Sequence, residues 1–309
     1  MKQIEIELLK KIANIDKIPA GAVSFRVNGE SKVITSADEI IIQKKKDKPG
    51  IDIFVSGNVK GKTLHIPVII TKSGLKDLVY NDFYIKSGAD VTIVAGCGIH
   101  NCSTKLSEHD GIHTFHIKNG ANVKYIENHV GLGKGGSERV FNPTTKVFLQ
   151  ENAKMLMETT QIGGVTNTNR KTFAKVGSNS SLIIKEKILT ENNEVAKTNF
   201  DVKLLGKRSS VEVISRSVAK NQSCQTFKSK VYGRNECFGR VECDGIIIDH
   251  AKIVSVPEIH AEDINSNLTH EATIGKIAGD ELIKLQTLGL SKTNAEEQII
   301  AGFLRWTRK

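Results

Sequence analysis

A repeated pattern of strand, turn and strand runs through the middle of the chain. Small turn residues recur 25 to 32 residues apart, at Gly57, Gly88, Gly120, Asn152, Gly177, Gly206 and Gly233. The segments between them, such as VTIVAG, KVFLQ and FDVKLL, are rich in β-branched and aromatic residues and mostly alternate in polarity. A period of this length predicts a stacked solenoid, in which each repeat buries its inner face against its neighbours.

Strands and turns stacked at this period predict a parallel β-helix. A β-sandwich or barrel is the alternative, but its hairpins recur about every 8–12 residues. We therefore expect a mainly β protein in three parts: a short N-terminal helix with its lead-in at residues 1–20, a β-helix core at 21–260 and a C-terminal helical segment at 261–309. We expect the N-terminal helix to cover one open end of the solenoid.

Composition and charge limit the possible partners. The chain of 309 residues has a formal net charge of +10, but its lysines are scattered and no nucleic-acid-binding motif accompanies them. A solvated basic surface is the better interpretation, and no nucleic-acid partner is expected. No apolar run is long enough for a membrane helix, and Glu5 and Glu7 stand where a signal peptide needs its apolar core. These features predict a cytoplasmic protein.

Two glycine-rich segments resemble phosphate-binding motifs. The segment at 57–63 is one residue short of a P-loop, and a strand pattern follows it where a helix is required. The segment at 131–136 matches GxGxxG but also precedes a strand. We interpret both as turns or loops, so the chain has no predicted nucleotide site of its own.

The five cysteines are not expected to form disulfides in a cytosolic chain of this size. Cys97 and Cys102 lie close in sequence to His100, and the three could share a metal if the glycines around them allow a tight turn. A role as metal ligands or in sulfur relay and a purely structural role both remain open for this group. Cys224 and Cys237 lack a surrounding motif, and packing is the better interpretation for them.

The last quarter of the chain carries the most specific pattern. Cys243 and Asp244 lie in an ECDG sequence, and a His-Glu-Ala-Thr step follows at 270–273. A leucine-rich stretch at 282–288, a Gly-Leu turn and a final Gly-Phe complete the pattern. These residue types, in this order and spacing, closely resemble the C-terminal signature of the SufB/SufD family, the scaffold proteins of SUF-type iron–sulfur cluster assembly.

The resemblance implies roles for three residues. Cys243 falls at the position of the family's principal cluster-assembly cysteine, and His270 with Glu271 would complete an iron site. Leu268 stands where the SufD type has a cysteine, so the chain looks SufB-like, although it lacks the long N-terminal helical region of typical SufB. The structural alternatives are a small core residue at Cys243 and helix capping at the His-Glu step, with Thr269 as the N-cap.

The resemblance also implies a fold, a function and partners. The fold would be a right-handed parallel β-helix, and the function a non-enzymatic scaffold that builds a transient iron–sulfur cluster and passes it to apo-proteins. A SufC-like ABC ATPase would dock on the C-terminal helices. The chain would pair with a second copy of itself or in a SufB/SufD-type heterodimer. Two alternatives are a β-helix enzyme acting on polysaccharide and an interaction protein with inert cysteines.

Overall fold

The computed structural model describes residues 1–37, 39–134 and 136–305. Three helices are α1 (Gln3–Ala13), α2 (Gly279–Thr287) and α3 (Lys292–Phe303). The strands of the described chain are β1 (Val23–Val27), β2 (Glu30–Thr35), β3 (Ile40–Lys44), β4 (Gly50–Val55), β5 (Lys62–Ile70), β6 (Lys76–Ile85), β7 (Asp90–His100), β8 (Ser107–Ile117), β9 (Asn122–Leu132), β10 (Arg139–Phe141), β11 (Thr144–Leu149), β12 (Lys154–Ile162), β13 (Asn167–Val176), β14 (Ser181–Thr190), β15 (Val195–Leu204), β16 (Ser209–Ala219), β17 (Cys224–Gly233), β18 (Cys237–Ile247), β19 (Lys252–Ala261) and β20 (Ser266–Gly275).

Successive strands alternate between two long sheets. The first sheet has the order β2-β1-β5-β7-β9-β12-β14-β16-β18-β20, and the second has β19-β17-β15-β13-β10-β8-β6-β4-β3, with β11 continuing the row of β10. From β5 onward, neighbouring strands in each sheet are parallel and in register. This is a parallel β-solenoid of about 8 turns, and the predicted β-helix with short helices near its termini is confirmed.

Buried and partly exposed side chains alternate along each strand, because only one face of the strand points into the core. Strand β14 shows the pattern, since Leu182, Ile184 and Ile188 point into the solenoid and the residues between them are partly exposed. The inward side chains of both sheets form one continuous apolar core along the axis. Period-2 alternation places a side chain at the same depth in every turn, so an inward polar residue meets other inward residues of neighbouring turns.

Turns at the predicted sites close the repeats. Gly88, Gly120 and Asn152 adopt left-handed backbone conformations with φ of 74°, 68° and 57°, which glycine and asparagine tolerate best. As predicted, the segment at 57–63 is not a P-loop, because its turn leads directly into strand β5 and not into a helix. The segment at 131–136 leaves β9 as a loop, and Gly135 lies outside the described residues.

Helix α1 does not cover an open end of the solenoid, so that expectation is wrong. It packs across the outer face of the first sheet, with Leu8, Leu9 and Ile12 fully buried. Close approach is possible because Gly96 and Gly98 lack side chains: an added Cβ would lie 2.7 Å from the Ile12 carbonyl oxygen and 2.9 Å from Leu8. Antiparallel pairs β1–β2 and β3–β4 form the N-terminal end instead.

The C-terminal segment begins with a strand. Strand β20 extends the first sheet by one more parallel rung before α2 and α3 follow. Thr269, His270 and Glu271 all lie in this strand, so the helix-capping interpretation is wrong for them. The alternation of Leu268, His270 and Ala272 with polar neighbours is the local signal for a strand that the helical interpretation overlooked. Residues 306–309 lie outside the described part of the chain.

Candidate functional site

Cys243 lies in the interior of the solenoid near its C-terminal end. Strand β18 alternates so that Val241 and Cys243 point inward between partly exposed neighbours, and Cys243 is fully buried. Its in-register neighbour on β16 is the buried Ser215. Burial raises the pKa of the Cys243 thiol to about 11, because a thiolate is poorly solvated there. In this conformation Cys243 is a protonated core thiol.

His270 lies on the next strand, on the same face of the first sheet as Cys243. Val241 of β18 pairs with His270 of β20, and Cys243 pairs with Ala272. His270 is therefore a diagonal neighbour of Cys243 on the same face of the first sheet. Its Nε2 atom is buried without a hydrogen-bond partner, and burial lowers the pKa of the ring. A neutral imidazole with an unpartnered nitrogen is a suitable metal ligand.

Glu271 lies on the opposite face of β20. Its carboxylate accepts a 3.0 Å hydrogen bond from Arg240 Nη2, and the same nitrogen lies 2.9 Å from Glu242. The structure therefore places Cys243 and His270 on one inner face and Glu271 on the outer face, in an exposed ion cluster. Glu271 as a ligand stays a prediction, and reaching the same metal would require β20 to rearrange.

The site lies at an open end of the fold. Strands β19 and β20 are the last of their sheets, so their outer backbone edges are not paired within the described chain. The side chains of β19 include exposed apolar residues, with Val254 45% and Ile259 39% exposed. Cys243 is thus covered by a single terminal turn on this side.

The N-terminal cysteine group is divided between two faces of β7. Cys97 points inward into a small apolar cluster with Ile99 and Phe141, and burial beside Glu127 raises the pKa of its thiol well above the usual value. His100 faces outward, with its Nε2 3.4 Å from the exposed Cys102 sulfur. Gly96 and Gly98 of this motif lie in strand β7 and make room for α1, and they do not form a tight turn. The structure therefore does not converge the three predicted ligands.

The two cysteines predicted to be structural occupy unremarkable places. Cys237 is buried at the start of β18, where its sulfur contacts Ser266 Oγ at 3.6 Å. Cys224 is half-buried at the start of β17. Among the described residues, no group of three or more His, Cys, Asp and Glu side chains is arranged to hold a metal ion.

A buried charged network that sequence reasoning missed fills the middle of the solenoid. Arg170 donates a 2.6 Å hydrogen bond to Glu127 and lies 3.5 Å from Glu186. Glu186 also accepts hydrogen bonds from Thr198 and from Ser215, both at 3.2 Å. Glu186 could have been identified from its strand, because Leu182, Ile184 and Ile188 place it on the apolar face.

Histidines extend this network. His129 Nδ1 accepts from Arg170 Nη2 at 3.1 Å. His113 Nδ1 contacts the Tyr125 hydroxyl at 2.8 Å, and that hydroxyl donates to Glu127 at 2.9 Å. Since the hydroxyl proton goes to Glu127, His113 must donate from Nδ1. Its Nε2 lies 3.4 Å from the Asn81 amide nitrogen, which can only donate, so the ring is neutral.

Charge balance in the network follows from these contacts. Burial favours the neutral form of Glu127, but the neighbouring His129 and Arg170 outweigh it and hold the pKa of Glu127 well below its usual value. Burial raises the pKa of Glu186, with Arg170 opposing it only in part. The pKa of His113 falls to about 4 because the ring is buried. The network thus contains a charged Arg170–Glu127 pair beside a neutral His113 and a Glu186 whose charged form burial disfavours.

Comparison with known proteins identifies the class of domain. The family profile described as "SUF system FeS cluster assembly, SufBD core domain" matches residues 78–303 of this parallel solenoid. The chain belongs to the SufB/SufD family, whose role is in iron–sulfur cluster assembly.

Archaeal relatives share the match at low identity. A protein of Archaeoglobus fulgidus named "Iron-sulfur cluster assembly SufBD family protein" is 24% identical over 88% of this chain and 73% of its own length. A similarly named protein of Methanocaldococcus jannaschii is 25% identical over 89% of this chain and 88% of its own. A Methanothermobacter thermautotrophicus relative is 26% identical, but the match spans only 57% of that protein.

The described helices do not meet the requirements for spanning a membrane. Within residues 1–37, 39–134 and 136–305, no helix has the length and hydrophobicity needed to cross a membrane.

Proposed function

We propose that this chain is a non-enzymatic scaffold on which an iron–sulfur cluster is assembled and from which it is transferred to apo-proteins. The observation that carries the proposal is the placement of Cys243 and His270 as diagonal neighbours on the inner face of adjacent strands in the terminal turns. Family membership supports it and argues against the polysaccharide-acting enzyme considered as an alternative. The iron and sulfide are cargo, so the site must both bind and release them.

The burial of Cys243 makes a conformational step part of this function. A thiol with a pKa of about 11 is neither a good nucleophile nor a good iron ligand, since both roles need the thiolate. The terminal turn formed by β19 and β20 must therefore open, or its environment must change, before iron binds. A partner that converts ATP hydrolysis into movement would supply this step, which fits a SufC-like ABC ATPase.

Helix α2 offers a surface for such an ATPase. Helix α3 is fixed to the solenoid, where Ile300 and Leu304 pack with Val218 and Arg216 donates to the Phe303 carbonyl at 2.9 Å. In contrast, α2 buries no residue and leaves Ile283 58% exposed and Leu288 80% exposed. Because α2 follows β20 directly, a force on this helix would act on the strand that carries His270.

A second chain would complete the site. Cys243 and His270 supply two inward donors, fewer than the four ligands that iron–sulfur clusters usually take from proteins. The exposed edges of β19 and β20 lie beside them and could join the same edges of another copy around a twofold axis. Each chain would then contribute one thiolate and one imidazole. A heterodimer with a SufB/SufD-type partner would use the same edges.

Anaerobic reconstitution with iron and sulfide tests the proposal. Cys243→Ser should abolish the visible chromophore and the bound iron and sulfide, whereas Cys237→Ser should retain them. Cys237 is a matched control, because it is also buried on the inner face of β18. Melting temperature would show that both variants fold. A full cluster on the Cys243→Ser protein would refute the proposed site.

A further inference from the structure

The outer face of the second sheet is strongly basic along four adjacent strands. Its outward side chains on β11, β13, β15 and β17 include Lys146, Lys171, Lys175, Lys197, Lys203, Lys228 and Lys230. On these four described strands, Asp201 is the only acidic residue facing outward. We call this surface the cationic face. The first sheet differs, since its outer face mixes lysines and arginines with Glu158, Glu212 and Glu242.

Few of these lysines are neutralised within the chain. Lys230 forms an ion pair with Glu258 of β19 at 2.8 Å, but the remaining six form no ion pair within the described residues. A flat surface with one sign of charge attracts partners of the opposite sign and accelerates their association. Charge complementarity therefore predicts an acidic partner.

An apolar slot lies in the middle of the cationic face. It has a volume of about 170 Å³ and is lined by Lys146, Phe148, Phe173, Lys175, Asp201 and Lys203. Phe173 is 43% exposed. The slot is smaller than the roughly 300–1,000 Å³ of small-molecule pockets. A slot of this size between lysines accommodates a single apolar side chain flanked by carboxylates.

Two of the three outward aromatic rings on these described strands, all but Phe173, are not free to stack. This argues against single-stranded nucleic acid, which stacks successive bases on free ring faces. Phe148 stacks on His116 at 5.5 Å on one side and has Lys175 Nζ 5.9 Å from its centre. Tyr232 stacks on His260 at 4.5 Å, and Lys203 Nζ lies 5.7 Å from its centre. Both rings therefore have their faces occupied. Arginine, which stacks and binds phosphate in a bidentate manner, is not among the outward residues of these described strands.

We propose that the cationic face binds an acidic segment of a partner protein, which inserts one large apolar side chain into the slot beside Phe173. The face lies on the second sheet, while Cys243 and His270 lie on the first. This proposal therefore stands independently of cluster assembly, and its test does not use a cluster.

Fluorescence anisotropy with a labelled glutamate-rich peptide carrying one central leucine tests this surface. The native chain should bind the peptide at low salt, and added salt should weaken binding. Lys175→Glu/Lys203→Glu should raise the Kd about tenfold or more, and the same peptide with alanine for leucine should bind several-fold more weakly. The control is Lys11→Glu/Lys154→Glu, which changes the net charge equally at exposed positions on α1 and on β12 of the first sheet, away from the face.

Several results would overturn the proposal. These are no peptide binding by the native chain, equal losses in the two double variants, or no effect of replacing the leucine. Tighter binding of an oligothymidylate of equal charge that also depends on Lys175 and Lys203 would assign the face to nucleic acid instead. Circular dichroism of each variant would verify the fold, which these exposed substitutions should leave intact.

Discussion

Arg170 Nη1 lies 2.6 Å from Glu127 Oε2 in the interior of the solenoid, and both side chains are at least 96% buried. Removing one partner of such a pair leaves an unpaired charge in a poorly solvated place. Arg170→Leu should therefore lower the free energy of unfolding by about 3–5 kcal/mol. Chemical denaturation measures it, with the exposed Lys124–Glu158 pair as comparison: Lys124→Leu should cost less than about 1 kcal/mol. Similar losses for both variants would contradict the importance of the buried pair.

His113 makes stability depend on pH. Its pKa is about 4 in the folded chain, against an ordinary value of 6.5, so the folded state favours the neutral form of the ring. The stability contributed by this preference is present above pH 6.5 and is lost as the pH falls toward about 4. The His113→Asn variant has no such group, so its free energy of unfolding should not show this loss. The difference in free energy of unfolding between the native chain and the variant should therefore shrink by up to about 3 kcal/mol over that range.

Denaturation at several pH values measures this difference. Comparing variant with native chain cancels other titrating groups, including Glu194, whose pKa burial raises to about 7. The control is His250→Asn, because His250 lies in an exposed turn. A difference between the His113→Asn and native chains that is independent of pH would contradict a neutral, buried His113.

The sequence predicted the solenoid well because one physical rule repeats in every turn. Alternating apolar residues and left-handed turn residues such as Asn152 encode the same local structure along the chain. Helix α1 was harder to place, since its apolar stripe predicts that it packs but not on which surface. Gly96 and Gly98 mark the surface only once the register is known.

The candidate site was predicted in part. Cys243 and His270 came from a resemblance, and the structure adds that they are diagonal neighbours on one face. Glu271 was grouped with them because it is adjacent in sequence, yet adjacent residues of a strand point to opposite faces. Interior charges such as Arg170 were missed because the strand pattern was interpreted for its apolar positions alone.

The exposed face of α2 should bind the ATPase. Ile283→Glu and Leu288→Glu should each weaken co-purification with a SufC-like ATPase by about tenfold or more, because both side chains leave water in a complex. Leu288 ends the leucine-rich stretch at 282–288, and Ile283 lies within it and is 58% exposed. Ile162→Glu is a suitable control, since that residue is 41% exposed on β12. Unchanged binding by both α2 variants would place the ATPase elsewhere.

The open C-terminal edge should join two chains. Val256→Lys and Ile259→Lys place charges on β19, the terminal strand of its sheet, and should shift the protein from dimer to monomer in light scattering. Ile41→Lys is the control at the opposite end of the same sheet, where Ile41 is 47% exposed. A native chain that is monomeric alone and with the ATPase would exclude the homodimer.

The most direct test uses a chain whose only cysteine is Cys243. Replacing Cys97, Cys102, Cys224 and Cys237 with serine or alanine should leave iron and sulfide binding after anaerobic reconstitution, and His270→Ala in that background should reduce it. The reciprocal chain, which lacks only Cys243, should bind none. If the reciprocal chain holds a cluster and the single-cysteine chain does not, Cys243 is not the assembly thiol and the account is wrong.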